Sequence, residues 1–290
     1  MSQLIYIRRR IKAVQTIKKI TNAMRLVSRA LHSQMNQKRP FLKSYKESLQ
    51  KVFQDYSDPD YLKNSCFFPA LNAEEKKLTI VLGSQKGLCG TYNSTIFYWL
   101  NNHKLFFKKD SHDLITLGKK AQEQAQTLKI LPIKYIEELK FSTLEKVTQE
   151  LLNFIINASP HYTQVTFVSN YSKTFFSHFH KETIIIPLTT ALNKPTSQEN
   201  QLTDFVWLNN QQDLVNKISL MHTKTLIQEL LFEGLMSEQA ARFIAMDNAC
   251  RNANNLLDHM KLQYNKLRQT KITKELIELA GSFKQNNQSS

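Results

Sequence analysis

The chain is poor in the residues that punctuate a fold. It has six glycines and seven prolines in 290 residues, and no proline follows Pro195. So few turn formers argue against many short, tightly connected strands and favour long helices. Cysteine is nearly absent. Cys66, Cys89 and Cys250 are odd in number and far apart, with no Cys-x-x-Cys or Cys/His spacing. That excludes a disulfide framework and a zinc site, and suits a reducing compartment. Long apolar runs are missing too; the longest, such as "TIIIPL", fall far short of a membrane span. Negative charge is scarce at the start. Up to Asp55 the chain carries thirteen Lys/Arg and two acidic residues, a net of +11 within a formal total of +15. Such a segment fits nucleic acid, an anionic membrane surface, an acidic protein partner or a plain solvated face. Its Arg-rich opening is similar to a mitochondrial transit peptide. The helical pattern runs well past the extent of one, so the segment is read as part of the fold.

What is present is periodicity. Leu4, Ile7, Ile11, Val14, Ile17, Ile20, Met24, Val27, Leu31 and Met35 recur at three and four, a mean period of about 3.5 that marks a supercoiled helix seam. Pro40 should end or kink the helix, yet the pattern resumes in "FLKSYKESLQKVF". One long helix, bent near Pro40 and ending near Asp55, is expected, followed by a loop over "DYSDPDYLKNS". In the middle, "KKLTIVLG", "DLITLG", "QVTFVS" and "ETIIIPL" read as strands, with "DFVWL" a last short one. Helix-like stretches, Thr91–His103, Lys119–Leu128 and Leu144–Ala158, lie between them. Strands alternating with helices predict an α/β layer with a largely parallel sheet and flanking helices. From about Asp213 to Gly281 only Gly234 interrupts a helical pattern, in which Met246, Ala249, Ala253, Leu256, Met260, Tyr264 and Leu267 recur at three and four. A helix of roughly 65 to 70 residues would span about 100 Å, more than a core of this size can cover. Each terminal helix has one apolar stripe and no core of its own. The two are therefore expected to pair as a long antiparallel coiled coil. The stretch "GLMSEQAARFIAMDNACRNANNLLDHM" suits that role. Its alanines allow close helix approach, and its asparagines suit a face enclosed by another protein. The expected division is 1–56, N-terminal coiled-coil helix; 75–208, α/β domain of Rossmann-like type; 209–290, C-terminal coiled-coil helix.

Tests for chemistry come out negative. "GSQKGLCG" follows a strand and precedes a helix, but its glycines are spaced G-x-x-x-G-x-x-G. Neither a Walker loop nor a dinucleotide loop has that spacing. Cys89 as a nucleophile would need a His partner; His103 and His112 are near in sequence but nothing specific links them to it, so it reads as a turn residue. His178 and His180 do not extend to a metal-ligand cluster, and the pairs Glu74/Glu75 and Glu137/Glu138 read as surface. No catalytic, cofactor or metal set is expected. Arg8, Arg9 and Arg10 flank the seam without a nucleic-acid reading motif.

Four stretches carry a resemblance. "IRRRIKAVQTIKKITNAMRLVS" resembles the N-terminal signature of the gamma subunit of F-type ATP synthases, the central rotor stalk. "SEQAARFIAMDNACRNANNLL" with "YNKLRQTKITKELIEL" is similar to that family's C-terminal signature, and "GLCGTYN" to its loop after the first strand of the insert. The match holds at both ends in the right order and spans essentially the whole chain. The resemblance implies a non-catalytic shaft inside a ring of alpha and beta subunits, seated on the c-ring beside the epsilon subunit. Ion flux would turn it, and its asymmetry would change nucleotide affinity in each beta subunit. It implies no cofactor, no nucleic acid, and membrane contact only through the c-ring. The place would be the cytoplasmic face of a bacterial inner membrane, or the matrix or stroma side in an organelle. Residue by residue, it implies contact with the acidic lever of the beta subunit for Thr21, Asn22, Met24 and Arg25. Arg268, Gln269, Thr273 and Glu275 would touch the catch region, and Trp207 would belong to the foot on the c-ring. Gln85-Lys86 stands where the family usually has Asp-Arg, Thr91 where glycine is common, and Leu208 where an acidic residue often follows the aromatic. The plant-type redox insert is absent, so thiol switching is not expected. The competing expectations are a basic coiled-coil adaptor for nucleic acid or anionic membrane, and an enzyme using the "GLCG" loop.

Overall fold

The computed structural model describes residues 2–56, 67, 76–108, 111–157, 162–175, 177–188 and 211–286. It divides into two compact units, Ser28–Arg242 and the pair Met1–Val27 with Phe243–Ser290. Two helices, α1 (Ser2–Tyr56) and α5 (Gln211–Asn286), contribute to both units.

In the larger unit the sheet is built from β1 (Lys77–Leu82), β2 (His112–Leu117), β3 (Lys134–Ile136), β4 (Gln164–Thr174) and β5 (Ser177–Ile186). Its order is β3-β2-β1-β4-β5. The first four strands run parallel and β5 returns antiparallel to β4. Three helices link the parallel strands: α2 (Tyr92–His103), α3 (Lys119–Thr127) and α4 (Leu144–Asn157). β1 and β2 read as apolar runs because both faces are covered. On one face Ile96, Leu100, Ala121, Ala125 and Ile130 pack together with Val81, Leu114 and Val168. On the other, Leu78, Ile80, Ile115 and Phe167 join Leu151, Ile155, Leu231 and Leu235 in the main core. Crossover turns demand glycine at Gly118, where φ is +82° and a Cβ would lie 2.4 Å from the Gly83 carbonyl oxygen.

Four expected strands are present. β3 is additional, and β4 with β5 form a hairpin longer than "QVTFVS" and "ETIIIPL" suggest. Asp55 and Tyr56, expected to open the loop "DYSDPDYLKNS", belong to α1; the rest of that stretch, the strand "DFVWL" and Trp207 lie outside the described residues.

α1 passes through Pro40 without a break in its helical assignment. Packing on both sides of the proline offsets the lost hydrogen bond. Met35, Leu49 and Phe53 are buried. Arg39 binds Glu233 at 2.9 Å, and Lys46 binds Glu229 at 2.7 Å. As α1 advances from Arg39 to Lys46, its partners on α5 step back from Glu233 to Glu229, so the pairing is antiparallel.

The smaller unit repeats that sense. Val14 and Ile11 pack with Ala253, Leu257 and Met260, and Arg25 binds Asp247 at 2.7 Å. Here the seam corrects the sequence reading. Along α1, from this unit into the larger one, the inward positions are Leu4, Ile7, Ile11, Val14, Lys18, Thr21, Arg25, Ser28, His32 and Met35, buried or half-buried. Ile17, Ile20 and Val27, expected in the seam, are 52%, 54% and 58% exposed, and Leu31 is exposed too. The apolar stripe and the seam part company after Val14. The period is right and the phase is one residue out. On α5 the inward set is Met246, Cys250, Ala253, Leu257, Met260, Tyr264, Leu267 and Lys271, whereas Leu256 is exposed and Ala249 half-buried. A polar seam position is acceptable where its hydrogen bond stays local: the Thr21 hydroxyl donates to the Lys18 carbonyl at 3.0 Å.

Candidate functional site

Two features stand out: the outward faces of the two-helix unit, and the buried loop between β1 and α2.

On α1, Thr21 is buried in the seam, while Asn22, Met24 and Arg25 are half-buried at its rim. They are tied to α5 by charge. Arg25 Nη1 donates to Asp247 Oδ1 at 2.7 Å, and Arg25 Nη2 donates to Asn22 Oδ1 at 3.0 Å. Arg251 holds the second Asp247 oxygen at 2.8 Å. The hydrogen bond from Arg25, aided by Arg251, draws the Asp247 carboxyl below the usual carboxylate range. Outward from this knot the helix shows Ile17, Ile20 and Val27 among exposed Arg8, Arg9, Arg10, Lys12, Lys19 and Arg29. The face is apolar and basic together, and suits an acidic protein partner with an apolar ridge.

On α5, Arg268, Gln269, Thr273 and Glu275 are all exposed. Gln269 and Thr273 line a shallow open depression with Lys266, Thr270, Lys274 and Ile277. Glu275 pairs with Lys271 at 3.4 Å. Every residue from Ile272 to Ala280 is exposed, including Ile272, Leu276, Ile277 and Leu279. The structure does not bring the two expected groups together. Arg25 lies opposite Asp247, and twenty helical residues, about 30 Å, separate that level from the region of Arg268. Trp207 is outside the described residues.

The loop after β1 is filled by its own side chains. Asn93 Nδ2 donates to Ser84 Oγ at 2.8 Å, and its Oδ1 accepts from the Ser84 amide at 3.1 Å. Cys89 Sγ lies 3.1 Å from the same Nδ2. Burial pushes the Cys89 thiol up, so a thiolate nucleophile is disfavoured there. Among the described residues no group of His, Cys, Asp or Glu could hold a metal ion, and no helix is long and apolar enough to cross a membrane. Beneath the loop, Glu238 and Arg242 of α5 form an ion pair with both side chains 8% exposed. Burial raises the Glu238 carboxyl, and Arg242 opposes that. The sequence reading missed this pair. Its only signal was the i, i+4 spacing inside an otherwise small and polar run.

Comparison with known proteins agrees along nearly the full length. A family model described as ATP synthase matches residues 3–284. An ATP synthase gamma chain from Clostridium novyi (strain NT) is 30% identical over 283 residues, 96% of each chain. One from Clostridium botulinum (strain Kyoto / Type A2) is 32% identical over 282 residues, again 96% of each. Among solved structures, a chain from the rotor of the Euglena gracilis mitochondrial ATP synthase has a TM-score of 0.66 at 15% identity, covering 93% of this chain and 99% of that one. A chain from the central stalk and c-ring of the Tetrahymena thermophila mitochondrial ATP synthase has a TM-score of 0.58 at 21% identity, covering 79% and 99%. At those identities the structural likeness is one of fold.

Proposed function

The chain belongs to the ATP synthase gamma-chain family, and from that premise we propose how its parts work. It is the central-stalk rotor subunit of an F-type ATP synthase. Its coil turns within the ring of alpha and beta subunits, and it sits with the epsilon subunit on the c-ring. Ion flux through the membrane rotates the c-ring and the stalk. Each beta subunit meets a different face of the stalk in turn and shifts between states of different nucleotide affinity. The chain makes and breaks no bonds; it binds no nucleic acid and reaches the membrane only through the c-ring. It is peripheral, on the cytoplasmic face in a bacterium or on the matrix or stroma side in an organelle. The segments 1–56 and 209–290 are the shaft, and 75–208 is the body.

The observation that carries this reading is the outward turn of apolar side chains on both helices of the small unit. Ile17, Ile20 and Val27 on α1 and Leu276 and Ile277 on α5 are exposed, while Lys18, Thr21 and Arg25 take inward positions of α1. A helix pair that keeps this many apolar residues outside is built to be enclosed by other chains. The stator contacts are Thr21, Asn22, Met24 and Arg25 at one level and Arg268, Gln269, Thr273 and Glu275 at the other, with Thr21 acting from the seam behind its neighbours. Trp207 is the foot on the c-ring. The adaptor reading has less behind it, since Arg25, Arg39 and Lys46 are engaged by carboxylates of α5.

The test is Met24→Lys in the assembled complex. A cation added beside an acidic lever should lower ATP synthesised per ion translocated, while assembly and ATP hydrolysis persist. Unchanged coupling would remove the α1 contact. Membranes that lack this chain and still synthesise ATP at the normal rate would remove the assignment itself.

A further inference from the structure

The antiparallel ribbon at the edge of the sheet has no part in the stalk account above, yet it reaches α1. Residues 77–81 of β1 pair with 164–168 of β4. Beyond Val168, among the described residues, β4 pairs with β5 alone, from Ser169 opposite Lys181 to Thr174 opposite Ser177. A two-stranded ribbon is marginal in water unless it packs on something. Its middle packs on little: Tyr171 and Phe179, which sit opposite each other, are 37% and 56% exposed. It is held at its two ends. At the root, buried Asn170 accepts from the Thr95 hydroxyl at 2.8 Å and donates to the Tyr92 carbonyl. At the tip, the Phe175 ring meets the His32 ring of α1 edge to face, with centroids 4.9 Å apart and planes at 88°.

That tip contact falls four residues inside the larger unit, whose border on α1 is Ser28. α5 is tied to the body by its own contacts: the Tyr92 hydroxyl donates to the Gly234 carbonyl at 3.2 Å, and a Cβ on Gly234 would stand 2.2 Å from Leu82 Cδ2. The ribbon gives α1 a tie to the sheet as well. His32 suits the seat as a neutral ring. It is half-buried, and burial, with Arg39 seven residues on, holds its pKa below the ordinary 6.5. A phenyl ring can attract a cation, but burial and Arg39 both act against one here. The surrounding charges are already engaged or exposed. Arg39 binds Glu233 of α5 at 2.9 Å, and Glu238 and Arg242 of α5 bind each other. Arg29 of α1 is exposed; on the ribbon Lys181 lies over the Tyr171 ring and His180 is exposed.

We propose that His32 is a positioning residue, the seat on α1 for the tip of the β4–β5 ribbon: a neutral imidazole keeps the ribbon docked, so that the sheet braces α1 as well as α5, and protonation releases the tip. The docking stands independently of the stalk reading; its effect on coupling rests on that reading. Above about pH 6.5 the imidazole is neutral whether the tip is docked or free, and docking is at full strength. Below it the free form takes up the proton first, so docking weakens until the docked form titrates too.

Hydrogen exchange on the full chain tests the docking, read as protection of the ribbon amides over 170–174 and 177–180 relative to the sheet amides of Ile80 and Ile115. From about pH 7.5 to about pH 5.5 the wild type should lose that relative protection several-fold, with about tenfold as the ceiling, because an ordinary imidazole one unit below its pKa is about nine-tenths protonated. His32→Phe, which leaves His178 and His180 in place, should keep the protection at both values. Phe175→Ala and His32→Lys should lack it already at the higher pH. A His32→Phe ribbon that loosens with acid as the wild type does, or a His32→Lys ribbon as protected as the wild type at the higher pH, overturns the docking. The assembled ATP synthase tests the brace. At the higher pH, ions pumped per ATP hydrolysed should fall in His32→Lys to about half the His32→Phe value, the low end for a change along a coupling element, with assembly alike in both. Equal ratios overturn the brace. Failure of the stalk reading looks different: the wild-type chain itself would not enter the complex.

Discussion

The two units obey different packing rules. In Ser28–Arg242 the sheet buries both faces, and Leu78, Ile80, Ile115 and Phe167 are fully enclosed. That unit is a domain with its own core. In the pair 1–27 and 243–290, Val14, Ala253, Leu257 and Met260 are the buried cluster, while Ile17, Ile20 and Val27 look outward. Its seam is thin and partly polar, and several of its apolar side chains stay exposed. One unit is folded for its own stability; the other is folded for its surface.

Substitutions sharpen that contrast. Phe167→Ala should cost the larger unit about 3–5 kcal/mol, because a fully enclosed ring leaves a cavity that the sheet cannot close. Leu257→Ala in the seam should cost about 2 kcal/mol, the low end for its type, since a two-helix seam can collapse onto the gap. Denaturant unfolding of the full chain, followed with a probe in each unit, measures both. Equal losses would mean that the coil holds a core as rigid as the sheet's.

Acid should act on the larger unit through His222. Its ring lies against Phe53 at 4.9 Å. Burial, with the nearby Lys46, holds its pKa below the ordinary 6.5, against a smaller pull from Glu229. Above about pH 6.5 both folded and unfolded imidazoles are neutral and nothing is lost. Below it the unfolded chain takes up the proton first, so stability declines until the folded pKa is passed. The urea midpoint should fall between about pH 7.5 and about pH 5.5, and fall less in His222→Leu. An identical drop in both chains would clear His222.

The smallest effect on stability is expected where the functional effect is large. Ile17→Ser with Ile20→Ser should change unfolding of the isolated chain by about 0.5 kcal/mol or less, as for other surface changes. ATP synthesis by the complex should nevertheless drop several-fold. A large destabilisation would return both residues to the seam.

That pair also marks the limit of reading this sequence. Period is a property of one helix, so the 3.5 repeat of α1 and the strands β1 and β2 were legible in residue spacing alone. Phase depends on what lies opposite. After Val14 the inward positions go to Lys18, Thr21, Arg25 and Ser28, since Asp247 on α5 offers Arg25 a carboxylate, and the apolar positions face outward. A rule that sends hydrophobic residues inward fails where the facing helix offers a charge instead. β3 was missed because Lys134–Ile136 is too short for alternation to register. The buried Glu238–Arg242 ion pair was hidden for a similar reason. Spacing shows that two charges share a helix face, but only packing shows that the face is buried.

Rotation is the property that distinguishes a shaft from a fixed subunit. Residue 276, an exposed leucine near the end of α5, can be replaced by cysteine and labelled in the assembled complex with the alpha/beta ring fixed to a surface. With ATP supplied, the label should turn in one direction in repeated steps. A label that stays fixed relative to the ring while ATP is hydrolysed at the normal rate would contradict the claim that this chain is the shaft.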